Sequence, residues 1–185
     1  MRIIGGKARG TKLYTLEGND TRPTLDRVRE SLFNIIQSQV PDCIFLDLFS
    51  GSGAIGLEAI SRGAKKAILC DKSKKAIEII KKNIEKTHSE GFVELYNMSF
   101  EELIKTKLGE KLDIVYIDPP YKTKFVYNSV KLIIEQKLLK EESLIIIETD
   151  EEEKILRELE KIEIKITDKR KYGRAILIFL KIGKG

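Results

Sequence analysis

Histidine is nearly absent from this sequence, cysteine is scarce, and no apolar run is long enough to cross a membrane. One histidine and two cysteines among 185 residues form no ligand cluster, so a zinc site has little support and no metal is expected. His88 precedes Ser89-Glu90-Gly91 near an expected helix end, where solvation of that end accounts for it. Cys43 and Cys70 sit in or beside the runs CIFLDLF and AILC and are expected to be reduced core thiols. The opening MRIIGGKARG lacks the apolar stretch of a secretion signal, so a cytoplasmic protein is expected. Internal repeats and low-complexity linkers are missing too. With 42% hydrophobic and 34% charged residues, the chain reads as one soluble globular domain with room for a small appendage.

The net charge of +5 is modest but unevenly spread. Up to Arg29 stand Arg2, Lys7, Arg9, Lys12, Arg22, Arg27 and Arg29, against only Glu17, Asp20 and Asp26. A second basic concentration is Lys169-Arg170-Lys171-Tyr172-Gly173-Arg174. Basic ends around a near-neutral body suggest an anionic partner. Arg2, Lys7, Arg9 and Lys12 would grip it from one side, and Lys169, Arg170, Lys171 and Arg174 from the other. For either cluster alone, solubilisation of an exposed loop is the plainer explanation.

After Pro41, short branched apolar runs alternate with amphipathic stretches. The pattern predicts strands at 43–48, 66–70, 92–97, 113–118, 142–148, 162–167 and 174–181. Helices are predicted at 53–63, 73–87, 99–107, 124–138 and 151–160. Such alternation indicates right-handed crossovers and a mostly parallel sheet. IFLDLF, DIVYID and SLIIIET are nearly continuous in apolar residues, as central strands covered on both faces should be. Strand 162–167 then leads through a basic turn at 169–174 into the last strand, with no room for a helix. That gap demands a hairpin, so the last strand runs antiparallel. The expectation is an α/β, Rossmann-like sheet of seven strands with an antiparallel last strand, the organisation of methyltransferases. Upstream, 2–4 and 11–15 read as short strands around Gly5–Gly10, and 24–39 as a helix docking on the sheet. Residues 1–20 are thus a basic hairpin extension, and 21–185 the main domain.

Asp47-Leu48-Phe49-Ser50-Gly51-Ser52-Gly53-Ala54-Ile55-Gly56 stands where a strand turns into a helix. Glycines there permit a tight turn and close backbone approach to a ligand. Gly51, Gly53 and Gly56, with Asp71 twenty residues after Gly51, also match the dinucleotide-binding fingerprint. Turn and acid alone therefore leave NAD and S-adenosylmethionine both open. Asp47 favours the second. A carboxylate before the turn would repel a pyrophosphate, whereas S-adenosylmethionine carries an ammonium and a sulfonium and no phosphate. Asp71 would accept from ribose hydroxyls in either case, and Phe49 and Lys72 flank the two acids. After the third strand, Asn97-Met98-Ser99-Phe100 offers Ser99 or Asn97 for the adenine, where an acid is common. Ser99 with Glu102 also reads as a helix-capping box.

Asp118-Pro119-Pro120-Tyr121 closes DIVYIDPPY and should face the same crevice, outside the carboxyl ends of the strands. An exocyclic base amine is a poor nucleophile because its lone pair is delocalised into the ring. Acceptors aimed at its hydrogens favour a pyramidal nitrogen, and the Asp118 carboxylate and Pro119 carbonyl suit that task. The two prolines stiffen the turn, and Tyr121 offers a face on which a base can stack. Asp118 is expected to keep an ordinary pKa of about 3.9 and to act ionised, as an acceptor.

Taken together, these residues resemble the RsmD-type 16S ribosomal RNA guanine-N2 methyltransferases. The resemblance rests on Met1–Gly10, on Thr21-Arg22-Pro23-Thr24 running into Val28-Arg29-Glu30-Ser31-Leu32-Phe33-Asn34, on DLFSGSGAIGLEAISRGA at 47–64, on Asp71 and on IDPPY at 117–121. It implies transfer of a methyl group from S-adenosylmethionine to N2 of one small-subunit guanine, customarily numbered 966, on an assembling 30S particle; the chain itself is expected to be a monomer. Asp47, Gly51, Gly53 and Asp71 match the family's cofactor positions. Asp118 through Tyr121 match its catalytic motif, and Arg22 and Thr24 match a segment near the cofactor's methionine end or the substrate mouth. Other readings are a DNA adenine-N6 or cytosine-N4 methyltransferase, an enzyme for small molecules or protein side chains, and a non-catalytic ribosome-assembly factor. No target-recognition domain of the DNA enzymes is visible.

Overall fold

The computed structural model describes residues 1–16, 23–120 and 124–183, with Pro23 and Thr24 by backbone alone. Arg22 and Tyr121 lie outside the described residues. The elements run α1 (Pro23–Ile35), β1 (Ile44–Asp47), α2 (Ala54–Ser61), β2 (Lys66–Asp71), α3 (Lys74–Lys86), β3 (Val93–Asn97) and α4 (Phe100–Thr106). They continue with β4 (Leu112–Ile117), α5 (Phe125–Glu135), β5 (Leu139–Thr149), α6 (Glu152–Leu159), β6 (Lys165–Tyr172) and β7 (Ala175–Lys181). Pro23 opens α1, where its missing N–H is no loss, and the Ser73 and Ser99 hydroxyls accept the N–H groups of Ala76 and Glu102 to cap α3 and α4.

The seven strands form one sheet in the order β3-β2-β1-β4-β5-β7-β6. The first five are parallel, and β7 enters antiparallel between β5 and β6. This is the α/β methyltransferase fold with its reversed last strand, as the sequence predicts. Strand alternation divides the core. Phe45, Ile114, Tyr116, Ile146 and Phe179 meet α1 on one face, while Leu46, Val115, Ile117 and Ile147 meet α4, α5 and α6 on the other. Among the described residues, no helix is long and apolar enough to cross a membrane.

Two sequence expectations are corrected. The sixth strand, expected at 162–167, occupies Lys165–Tyr172, so Lys169, Arg170 and Lys171 lie on a strand and only Gly173 (φ 62°) and Arg174 remain in the turn. As an edge strand β6 is mostly exposed and carries no buried apolar face to mark its register; pairing of Arg170 with Leu177 and Lys171 with Ile176 sets it instead. The expected strands 2–4 and 11–15 reduce to one antiparallel bridge between Arg2 and Lys12.

The hairpin docks along α2 through buried polar partners. The Glu58 carboxylate, fully buried, accepts the N–H groups of Ile4 and Gly5 at 2.9 and 2.8 Å. It also pairs with Arg62 at 2.8 Å and Arg29 at 3.8 Å. Gly6 must be glycine: its φ is +77°, and a Cβ there would stand 1.8 Å from the Ser61 carbonyl oxygen.

Candidate active site

Parallel pairing of β1 with β2 and β4 brings the ends of all three strands to one edge of the sheet. Asp47 is in register with Leu69 on one side and Tyr116 on the other. Asp71 and Asp118 each lie two residues beyond those partners, so the glycine turn and the Asp-Pro-Pro turn open on the same edge. At the turn, Gly51 and Gly53 have φ of 58° and 80°, and the Gly51 N–H donates to Asp71 Oδ2 at 2.9 Å. Ser73 donates its N–H to the other Asp71 oxygen at 2.8 Å. The buried Asn83 side chain donates to Ser52 O at 2.8 Å and to Tyr14 O at 2.9 Å, tying the turn to the N-terminal segment. Gly56 lies inside α2, where a Cβ would press within 2.1 Å of Leu69 Cδ2; it serves helix–strand packing.

Phe49, which lines the crevice, packs against Phe100 and Phe125, the ring centroids standing 5.2–5.8 Å apart. Ser99 spends its hydroxyl on the α4 cap. Asn97 donates to the carbonyls of Asp71 and Lys72 at 3.0 and 3.1 Å, while the Lys72 side chain is exposed. Thr24 is in the first turn of α1.

A cavity of about 180 Å³ under α1 gathers Asp47, Phe49, Gly51, Tyr116, Asp118 and Glu148, with Arg29 at its side. Asp47 is 1% exposed, and its Oδ1 has no hydrogen-bond partner among the described residues. Burial pushes its carboxyl up to about 7; the Phe49 N–H opposes this and Asp71 adds to it. Asp118 faces the crevice and is exposed. Packing at the crevice mouth, then Glu148, Asp47 and Asp150, shift its carboxyl upward, an effect that the exposure of the residue to solvent tempers. The expectation of an unperturbed Asp118 is thereby corrected: three carboxyl groups share its surroundings. Glu148 is also shifted upward by burial, opposed by the hydroxyl of Tyr116, which donates to Glu148 Oε2. Such a site disfavours anions and leaves a buried acceptor aimed at a cation.

The sequence reading missed Glu148, Tyr116 and Arg29. Glu148 follows the apolar run of a central strand as Asp47 does, and that shared signal is present in SLIIIET. Arg29, counted with the basic N-terminus, is buried; its guanidinium donates to Arg2 O and to Asp26 and faces Glu58. Desolvation lowers its pKa.

Arg2, Lys7, Arg9 and Lys12 are exposed. Lys7 donates its N–H to Ser61 O at the far end of α2, about 12 Å of helix rise from the crevice. Lys169 pairs with Glu152 at 2.7 Å and Arg170 with Asp168 at 2.9 Å. Lys171 is opposite Ile176, which is opposite Thr149, so Lys171 and Arg174 lie toward the crevice edge.

The sequence profile of the family described as conserved hypothetical protein 95 matches residues 1–181. This chain belongs to that family. It is 36% identical over 159 residues to the ribosomal RNA small subunit methyltransferase D of Haemophilus influenzae, covering 84% of this chain and 82% of the relative. The protein of that name from Escherichia coli K12 is 37% identical over 152 residues, 82% of this chain and 76% of the relative. The solved structure of the Escherichia coli protein yhhF superposes with a TM-score of 0.81 at 28% identity, covering 100% of this chain and 99% of that one. Membership in the conserved hypothetical protein 95 family takes in the hairpin, α1 and both turns, so the whole crevice lies within the matched span.

Proposed function

We propose that this chain transfers a methyl group from S-adenosylmethionine to the exocyclic N2 amine of a guanine in 16S ribosomal RNA, guanine 966 by the resemblance. It would act as a cytoplasmic monomer on an assembling 30S particle. The observation that carries the reading is the buried, unpartnered Asp47 oxygen at the same sheet edge as Asp118 and Pro119. The names of the relatives support an RNA substrate.

The residues present fit the donor. Asp47 would take its ammonium, Asp71 its ribose hydroxyls, and Phe49 and Phe100 would wall its adenine. Gly51 and Gly53 allow backbone approach, with Lys72 and Ser99 at the margin, and by the resemblance Arg22 and Thr24 would serve the donor's methionine end or the substrate mouth. When bound, S-adenosylmethionine supplies an electrophilic methyl carbon on a positively charged sulfur. Asp118 and the Pro119 carbonyl accept the amine hydrogens, localise the lone pair on nitrogen and hold it in line. Pro120 fixes the turn, and Tyr121 would stack the base. The proton lost after transfer passes to Asp118 or water. Residues 1–20 serve as a basic extension of the catalytic domain, 21–185. Arg2, Lys7, Arg9 and Lys12, with Lys169, Arg170, Lys171 and Arg174, would engage RNA backbone, and the target base must leave its stack to enter.

The test is incubation with labelled donor and undermethylated 30S particles, then nucleoside analysis of the RNA. Label in N2-methylguanosine, lost in Asp118→Ala, is expected. Label in N6-methyladenosine, or none in RNA, overturns the proposal.

A further inference from the structure

Glu148 has no part in the scheme above, yet it shares the cavity with Asp118. Ile117 and Ile147 are register partners on the parallel strands β4 and β5. Asp118 and Glu148, each one residue further on, therefore stand side by side on neighbouring strands about 4.8 Å apart. Alternation puts both on the face of Tyr116 and Ile146, toward α1. The Tyr116 hydroxyl holds Glu148 by Oε2, while Oε1 receives no hydrogen bond from any described residue. A neutral amide would serve that hydroxyl equally well without adding a like charge beside Asp118 and Asp47. When ionised, Glu148 is an acceptor-only group at a position where packing alone does not call for one.

We propose that Glu148 selects guanine, its Oε1 accepting the N1–H of the base whose N2 hydrogens are taken by Asp118 and Pro119. This rests on the guanine-N2 reading above. Guanine alone among the aminated bases places a second donor, N1–H, beside its exocyclic amine. Adenine places the N1 lone pair beside its amine, and cytosine the N3 lone pair. A carboxylate next to the amine-binding acceptors therefore attracts guanine and repels the other two. A site built to hydrogen-bond one edge rejects an analogue lacking the matching hydrogen strongly.

The test uses 30S particles assembled with semi-synthetic 16S ribosomal RNA carrying guanine or 2-aminopurine at the target. 2-Aminopurine keeps the amine but presents a lone pair at N1. The unaltered protein is expected to methylate it with a kcat/KM on the order of 100-fold or more below that for guanine. Glu148→Gln, whose amide can donate to that lone pair, should lower the guanine rate and narrow the ratio to about tenfold or less. Donor affinity measured without RNA should change far less than the guanine rate, since Glu148 touches the donor site only through the charge it sets beside Asp47. N2-methylguanosine formed with the same ratio in both proteins overturns the role of Glu148 alone. Absence of N2-methylguanosine from the unaltered protein overturns the guanine reading itself. Should Glu148→Gln fail to fold, the unaltered protein decides, since equal rates on the two bases refute the proposal.

Discussion

Asp47 binds the proton more tightly in the folded protein than in the unfolded chain, because burial lifts its pKa to about 7 from about 3.9. Its contribution therefore favours the folded state at low pH and is lost as pH rises from about 4 through 7. A donor ammonium has the opposite preference, for the ionised carboxylate. Affinity for S-adenosylmethionine should fall about tenfold from pH 8 to pH 6, read by calorimetry. Asp47→Asn should flatten that profile, weaken binding at least about tenfold, and stabilise the donor-free protein at pH 8 by about 1–3 kcal/mol. A lower melting temperature for the variant at pH 8, or unaltered donor affinity, would count against Asp47 as the cation ligand.

At the scale of elements, the hairpin and α2 behave as one unit. Glu58 and Ser61 satisfy backbone groups of residues 4–8, and Gly6 lies against the backbone of Ser61, which cannot move aside as a side chain could. Gly6→Ala is expected to cost about 1–3 kcal/mol and to free the hairpin. Amide exchange at Ile4 and Gly5 should then accelerate more than at Leu46 in β1. Equal acceleration at both sites would mean the hairpin is no separate cooperative unit. The long central strands were legible because burial on both faces writes them as apolar runs. β6 was misplaced because an exposed edge strand carries no such mark, and its basic residues resemble a turn.

Across the fold, the two basic clusters that the sequence marks lie apart, one on the hairpin reaching the far end of α2 and one at the β6–β7 end near the crevice. An RNA held by both must follow the α1–α2 side of the sheet. Neutralising Lys7, Arg9 and Arg170 together should weaken RNA binding and reduce the slope of affinity against salt by up to about three counterions, with donor affinity intact. Because Arg170 already pairs with Asp168, its share should be the smallest. An unchanged salt slope in filter binding would remove these residues from the RNA interface.

The alternation of strands and helices, the reversed last strand, and the two turns bearing Asp47 and Asp118 follow from the order of residues alone. Each is written in local patterns of apolar period, glycine and proline. Which acids share one cavity, that Glu148 joins Asp118, and that Arg29 is an internal brace emerge from the assembled sheet. Those facts depend on strand order and register between segments up to a hundred residues apart in the chain, and no local pattern encodes the low-dielectric neighbourhood that shifts their protons.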